Sequence, residues 1–288
     1  MQGKKVHDFV WTSRDGEGFP AKRWCGSSEP SYEVIGLHGM GGAPSDFDPL
    51  GMAVADDGGV FWALTVRGQG GDPEISRRGA EVKAGEILKD FADFVEDVVS
   101  KGCRKFYIGE SLGALLLAQG LSLPGRLNEP EGAIFSAPVV GLRREVPLFA
   151  RELLRWAARI IPRGRLRLGW LVNGSSFAPR VTRDDEWADR QRESPHYVQA
   201  FTYQALVDVG ELIEGSWADA RGVKCPCLVL AAGRDIYVTV EQVRRWYELI
   251  GSAEKGLIVY PEAFHVLWND WDRDQVLGDI LRWIRGRL

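Results

Sequence analysis

A chain of 288 residues, 45% apolar and 26% charged, has the composition of a soluble globular protein and the length for one large α/β domain or one domain with a sizeable insertion. A net charge of −4 with no block of like charge argues against a nucleic-acid partner. No run reaches the roughly 18 apolar residues of a membrane span, and Met1-Gln-Gly-Lys-Lys-Val-His-Asp lacks the apolar core of a secretory signal, so a soluble, cytoplasmic protein is expected.

In chain order, Val6 to Trp11 and Ala21 to Trp24, separated by Asp15-Gly-Glu-Gly18, predict a hairpin at an antiparallel edge. Tyr32 to Leu37 is the next strand, and it runs directly into the glycine-rich loop His38-Gly-Met-Gly-Gly42. Such a loop can present backbone N–H groups to a ligand because nothing projects to hold the ligand away, which makes His38 and Gly39 candidate substrate contacts. For the His38 ring itself, hydrogen bonding that fixes the loop is expected ahead of proton transfer. Val60 to Val66 is an almost continuous apolar strand, as in a parallel sheet covered on both faces, and Arg67-Gly-Gln-Gly-Gly-Asp-Pro73 follows as a second loop. Apolar positions between Ala80 and Val99 recur at helical spacing.

The next stretch organises the chain. Lys105-Phe-Tyr-Ile is apolar and strand-like, Gly109-Glu-Ser-Leu-Gly113 follows at once, and Ala114-Leu-Leu-Leu-Ala118 begins a helix. This is the G-x-S-x-G pattern of a nucleophile elbow, a strained strand-to-helix turn that lifts the hydroxyl of Ser111 clear of the backbone. Gly109 and Gly113 suit positions where a side chain would crowd the neighbouring strand and helix.

After a short strand, Gly132 to Ser136, the alternation breaks down from Pro138 to about Trp217. Helical patterns at Pro147 to Ile161 and Phe201 to Ile213, with Pro162, Gly164, Gly169 and Gly174 between them, predict a helical cap inserted between two strands. The expected division is a core of residues 1–137 and 218–288 and a cap of 138–217. Arginine is dense from Arg143 to Arg167; a solvated helix face and an anionic-headgroup contact both account for it. Alternation resumes with the strand Cys227 to Ala232, a helix from Glu241 to Ile250, the strand Gly256 to Tyr260 and a helix around Gln275 to Arg287. The whole predicts a mostly parallel, doubly wound sheet with sites at the carboxyl ends of its strands.

Three side chains stand just past such ends. Ser111 follows its strand directly, Asp235 comes after Ala232, and His265 comes after Tyr260, in the Ser, Asp, His order of the α/β-hydrolase fold. A serine hydroxyl is a poor nucleophile at neutral pH, so His265 must take its proton and a carboxylate must hold and stabilise the imidazole. Asp270, Asp272 and Asp274 compete for the acid role but are expected to cap the last helix. Glu110 borders the serine, where it either tunes the site or faces solvent. The oxyanion of an acyl-transfer intermediate would be met by the N–H groups of Leu112 and Met40. The four cysteines, Cys25, Cys103, Cys225 and Cys227, include no C-x-x-C pair and are expected to be reduced and buried. No cluster has metal-ligand spacing, so no metal or other cofactor is expected.

With these residues in view, the chain resembles α/β-hydrolases of the monoacylglycerol lipase and lysophospholipase group, also described as serine aminopeptidase-like hydrolases. The resemblance is carried by His38-Gly-Met-Gly-Gly42, Arg67-Gly-Gln-Gly70, Gly109-Glu-Ser-Leu-Gly113, Pro226-Cys-Leu-Val-Leu-Ala-Ala-Gly-Arg-Asp235 and Phe264-His265. In the insertion it rests on Thr182-Arg183-Asp184 and Ser194-Pro195. It implies the α/β-hydrolase fold, a triad of Ser111, Asp235 and His265, and a cap forming an apolar tunnel for an acyl chain. Leu112, where methionine is frequent, and Gln69, where histidine is frequent, depart from the family pattern without touching the triad.

The function expected is therefore serine carboxylic-ester hydrolysis through an acyl-enzyme, by a monoacylglycerol lipase or lysophospholipase-like esterase. Its partner is a small-molecule ester or lipid, with transient membrane-surface contact through the cap. Leu153, Trp156 and Ile160 either line the acyl tunnel or pack onto the core. Amide or C–C bond hydrolysis on the same triad and a non-catalytic ligand receptor on this fold remain as alternatives. Serine at the elbow excludes the aspartate nucleophile that dehalogenation requires.

Overall fold

The computed structural model describes residues 5–26, 30–172 and 179–288. Lys5–Thr12 (β1) and Gly18–Cys25 (β2) form the expected hairpin, with Gly16 at a left-handed φ of 88° in the turn. Next come Tyr32–Leu37 (β3), Asp48–Asp56 (α1), Val60–Leu64 (β4), Ala84–Val98 (α2), Arg104–Glu110 (β5), Leu112–Ser122 (α3) and Gly132–Ser136 (β6). The chain then leaves the sheet for Leu148–Ile160 (α4), Arg165–Arg167 (β7), Leu168–Val172 (α5), Asp185–Glu193 (α6) and Ala200–Thr202 (β8). Tyr203–Gly222 (α7) brings it back to Cys227–Ala232 (β9), Val240–Leu249 (α8), Lys255–Tyr260 (β10) and Arg273–Arg285 (α9).

The main sheet has the order β1-β2-β4-β3-β5-β6-β9-β10. Its first two strands are antiparallel, and β4, β3, β5, β6, β9 and β10 run parallel to one another. The strand carrying the elbow is thus central, and the carboxyl ends of β3, β5, β6, β9 and β10 open on one edge.

Side-chain alternation divides the core between the two faces of the sheet. Tyr107, Ala133, Phe135 and Val229 point into one cluster with Phe91 and Phe94 of α2, Leu115 of α3 and Trp246 of α8. Phe106, Ile108, Ile134 and Leu228 point into the other, with Leu50 and Val54 of α1 and Ile280 and Ile284 of α9. Strands buried on both faces read as continuous apolar runs, which is why they were easy to find in the sequence. Helix α3 is apolar on every side because it is sandwiched between the sheet and α7.

Two expectations change. The strand predicted over Val60 to Val66 ends at Leu64, because the Val66 N–H leaves the ladder to donate to His38 Nε2 at 2.9 Å. The boundary expected at 217/218 falls inside the continuous helix α7. The end of that helix is tied to the core: Trp246 Nε1 donates to the Ser216 carbonyl (2.9 Å) and Ser122 Oγ to Asp219 Oδ1 (3.0 Å).

Helix α6 has no buried residue and so no apolar stripe to mark it in the sequence. Beside it, β7 and β8 pair as a small antiparallel sheet, Arg165 opposite Thr202. Gly174, counted among the glycines that punctuate the insertion, lies outside the described residues.

Candidate active site

At the central elbow Ser111 adopts φ 54° and ψ −113°, a left-handed conformation that a side-chain-bearing residue holds at a cost of roughly 1–3 kcal/mol. What enforces it is on both sides. The Ser111 N–H donates to the Ser136 carbonyl of β6 at 2.9 Å, and α3 starts on the next residue. A Cβ on Gly109 would meet the backbone of Gly113 and Ala114, and one on Gly113 would run into the carbonyl of Leu37. Both glycines of the motif are therefore steric requirements of the turn.

The loop after β3 packs beside it. An ideal Cβ on Gly39 would sit 3.3 Å from Ser111 Cβ, so the backbone at 39 lies against the serine. His38, expected as a substrate contact as well as a loop-fixing residue, is wholly buried and serves only the second purpose. Its Nδ1–H donates to the Gly39 carbonyl at 3.0 Å while Nε2 accepts from Val66 N–H, an arrangement that fits the neutral ring. Burial holds this imidazole down at about 4. Gln69, where the family more often has histidine, is buried and accepts the Gly41 N–H at 2.8 Å. Among the described residues, neither Met40 N–H nor Leu112 N–H donates a hydrogen bond, so both expected oxyanion donors are uncommitted.

The loops after β9 and β10 bring the second pair together. Asp235 is buried and accepts His265 Nδ1–H at 2.7 Å through Oδ2, while its Oδ1 accepts Tyr237 N–H at 2.8 Å. With Nδ1 engaged, the available nitrogen of His265 is Nε2. The Tyr237 ring stands edge-on to the imidazole, centroids 4.7 Å apart. The two loops are stapled to each other by Gly233 N–H to the Tyr260 carbonyl (2.8 Å) and Arg234 N–H to the Ala263 carbonyl (2.9 Å). Ser111 Oγ makes no hydrogen bond to the described residues, so the structure joins two of the three expected residues directly and carries the third on the neighbouring elbow.

Several side chains depart from their expected places. Glu110 is buried rather than solvent-facing, and its Oε1 has no hydrogen-bond partner among the described residues. Burial, with Asp46 nearby, raises its carboxyl well above the usual range. Asp46, which accepts from Ala43 N–H and from Gln191 Nε2 of α6, is likewise pushed up by burial to about 6.

Of the aspartates after His265, Asp274 lies in the first turn of α9, as expected. Asp272 stands at the start of α9 but forms no side-chain cap there; it and Asp270 hold Arg183. Leu153, Trp156 and Ile160 are 62%, 60% and 56% exposed. At that exposure they do not pack onto the core.

A profile of the family described as "Serine aminopeptidase, S33" matches residues 28–272. The monoacylglycerol lipase of Mycolicibacterium smegmatis is 25% identical over 279 residues, covering 92% of this chain and 92% of that protein. The crystal structure of Paleococcus ferrophilus monoacylglycerol lipase superposes with a TM-score of 0.76 at 21% identity, covering 99% of this chain and 100% of that one. A soluble variant of the Saccharomyces cerevisiae monoglyceride lipase, in complex with a substrate analogue, superposes with a TM-score of 0.79 at 19% identity, covering 100% and 95%. At such identities the superpositions establish a shared fold.

Proposed function

This chain belongs to the serine aminopeptidase S33 family of α/β-hydrolases, and from that premise we propose that it is a serine ester hydrolase acting on monoacylglycerols or related single-chain lipid esters. The observation that carries the reading is the strained Ser111 elbow on the sheet edge that also bears the buried His265–Asp235 pair. In this reading Ser111 Oγ attacks the ester carbonyl as His265 Nε2 takes its proton, and Asp235 holds the imidazolium that forms. Met40 N–H and Leu112 N–H meet the oxyanion, and the α3 dipole adds to the same field. His265 then protonates the leaving alcohol, and water activated by the same ring releases the acid. The Ser111–His265 hydrogen bond closes on substrate binding, as such bonds commonly do.

The lipid part of the proposal draws on the cap. One face of α4 presents Leu148, Phe149, Leu153, Trp156 and Ile160 to solvent, flanked by arginines. Such a face suits transient contact with a lipid surface, where substrate is delivered without the enzyme crossing the bilayer. Among the described residues no helix is long and apolar enough to cross a membrane. A cytoplasmic location completes the reading, supported by Cys225 and Cys227, whose neighbouring thiols are free.

The test is a graded panel. Ser111→Ala is expected to lose about 10⁴-fold or more in kcat on a p-nitrophenyl ester, and a fluorophosphonate should label Ser111 alone. Retained turnover in that variant would overturn the catalytic assignment. For the wild type, rates on monoacylglycerols should rise from C2 to C12 acyl chains. A flat series or a short-chain preference removes the lipid claim, and faster turnover of amide or C–C substrates moves the chemistry to that bond.

A further inference from the structure

His265 lies in a loop whose backbone is held on both sides, by Asp270 further along the same loop and by the stretch 181–184 between α5 and α6 of the cap. The residue before it, Phe264, donates its N–H to Asp270 Oδ2 at 2.7 Å. The residue after it, Val266, donates its N–H to the Val181 carbonyl at 3.1 Å. Asp270, whose side chain is 0% exposed, is the hub. Its Oδ1 also accepts the Arg183 N–H at 2.8 Å, and Arg183 Nε lies 3.1 Å from both of its oxygens. The guanidinium reaches on to Asp272 Oδ2 at 2.7 Å and lies over the Trp271 ring. Thr182 Oγ1 donates to the Asn269 carbonyl at 2.7 Å and accepts the Asp184 N–H at 2.9 Å.

This is more than a salt bridge between two surfaces. A fully buried carboxylate facing a guanidinium, with backbone N–H groups filling its remaining lone pairs, has one low-energy geometry. That geometry fixes the height and tilt of the peptide on which the imidazole is mounted. Asp235 orients the ring about its own axis through Nδ1, but it does not set where the loop stands.

We infer that the Arg183–Asp270 pair is a positioning device for His265, coupling the cap stretch 181–184 to the proton relay so that the imidazole stands in register with the nucleophile. The pair acts through the backbone beside His265, by way of the Phe264 N–H. A misplacement of about 1 Å in a catalytic group can cost on the order of 10²-fold in rate.

Asp270→Asn and Arg183→Met should therefore lower kcat on a soluble ester by about 10- to 100-fold while KM stays within about twofold. The pH dependence of kcat/KM should shift with them, since a displaced ring loses part of its alignment with Asp235. The double variant should be no worse than the poorer single, because either change alone releases the loop.

The inference rests on His265 being the base, so His265→Ala is measured alongside. If that variant retains kcat, the catalytic reading itself fails and takes the inference with it. If His265→Ala is inactive while folded Asp270→Asn and Arg183→Met keep kcat and pH profile within twofold, the positioning role alone is overturned. Should either variant fail to fold, Arg183→Lys decides. It keeps a charge beside Asp270 and loses the planar fork, so a lowered kcat supports the inference and an unchanged one overturns it.

Discussion

Helices α2 and α4 carry equally clear apolar stripes, yet they use them in opposite ways. In α2 the stripe of Ile87, Leu88, Phe91, Phe94 and Val95 is buried against the sheet and α3. In α4 the large residues Leu148, Phe149, Leu153, Trp156 and Ile160 face solvent, and the one buried residue is the small Ala158. Its polar edge is tied to α7 through Arg151 and Glu214 at 3.0 Å. A helical period therefore establishes that a helix has an apolar side, not what that side meets. In the core the partner is the protein; on the cap the large apolar side chains are left to solvent.

The contrast can be broken most directly by truncating one aromatic from each stripe. Phe91→Ala should cost about 3–5 kcal/mol in urea unfolding, the price of a cavity at a fully packed site. Trp156→Ala should change stability by no more than about 0.5 kcal/mol, since its ring already stands in water. Comparable losses for both would mean that the cap stripe is structural.

A functional version sharpens the same point. Leu153→Ser with Trp156→Ser is expected to lower turnover of long-chain monoacylglycerol presented in vesicles by about 10-fold, from loss of apolar area at the lipid surface. Hydrolysis of a soluble short ester should stay within about twofold. Equal effects on both substrates would place these side chains in catalysis rather than docking.

The smallest effect concerns the core half alone. The His38 ring is held by burial at about 4 against an ordinary 6.5, so the fold prefers its neutral form. The stability this contributes is complete above pH 6.5 and is lost as pH falls from there toward 4. His38→Gln, which takes up no proton, should flatten that part of the stability–pH curve; an unchanged slope would show that other groups drive acid unfolding. No cap residue should have a comparable effect.

The core and its candidate site were legible in the sequence for a common reason. A strand buried on both faces must be apolar throughout, so β3, β5 and β9 announce themselves, and whatever polar residue follows them stands at the sheet edge. Ser111, Asp235 and His265 were found that way, and the glycines at 109 and 113 mark where backbone approaches backbone. Arg183 and Asp270 were not, because 87 residues separate them and the run Asp270-Trp-Asp-Arg-Asp274 reads locally as a helix start. Glu110 likewise gave no sign that its carboxyl would be buried without a partner, since one charged residue in a turn is ordinarily solvated.

By itself, then, the sequence determined the succession of the main-sheet strands, the elbow and the three side chains that follow strand ends, since these depend on local periodicity and on sterics within a few residues. Only the tertiary structure decided which way the α4 stripe faces, that α7 belongs to core and cap together, that His38 is a buried pin, and that Asp270 grips Arg183. Those outcomes depend on which distant surfaces meet, and burial, which sets the cost of every charge and the worth of every apolar side chain, exists only once they have met.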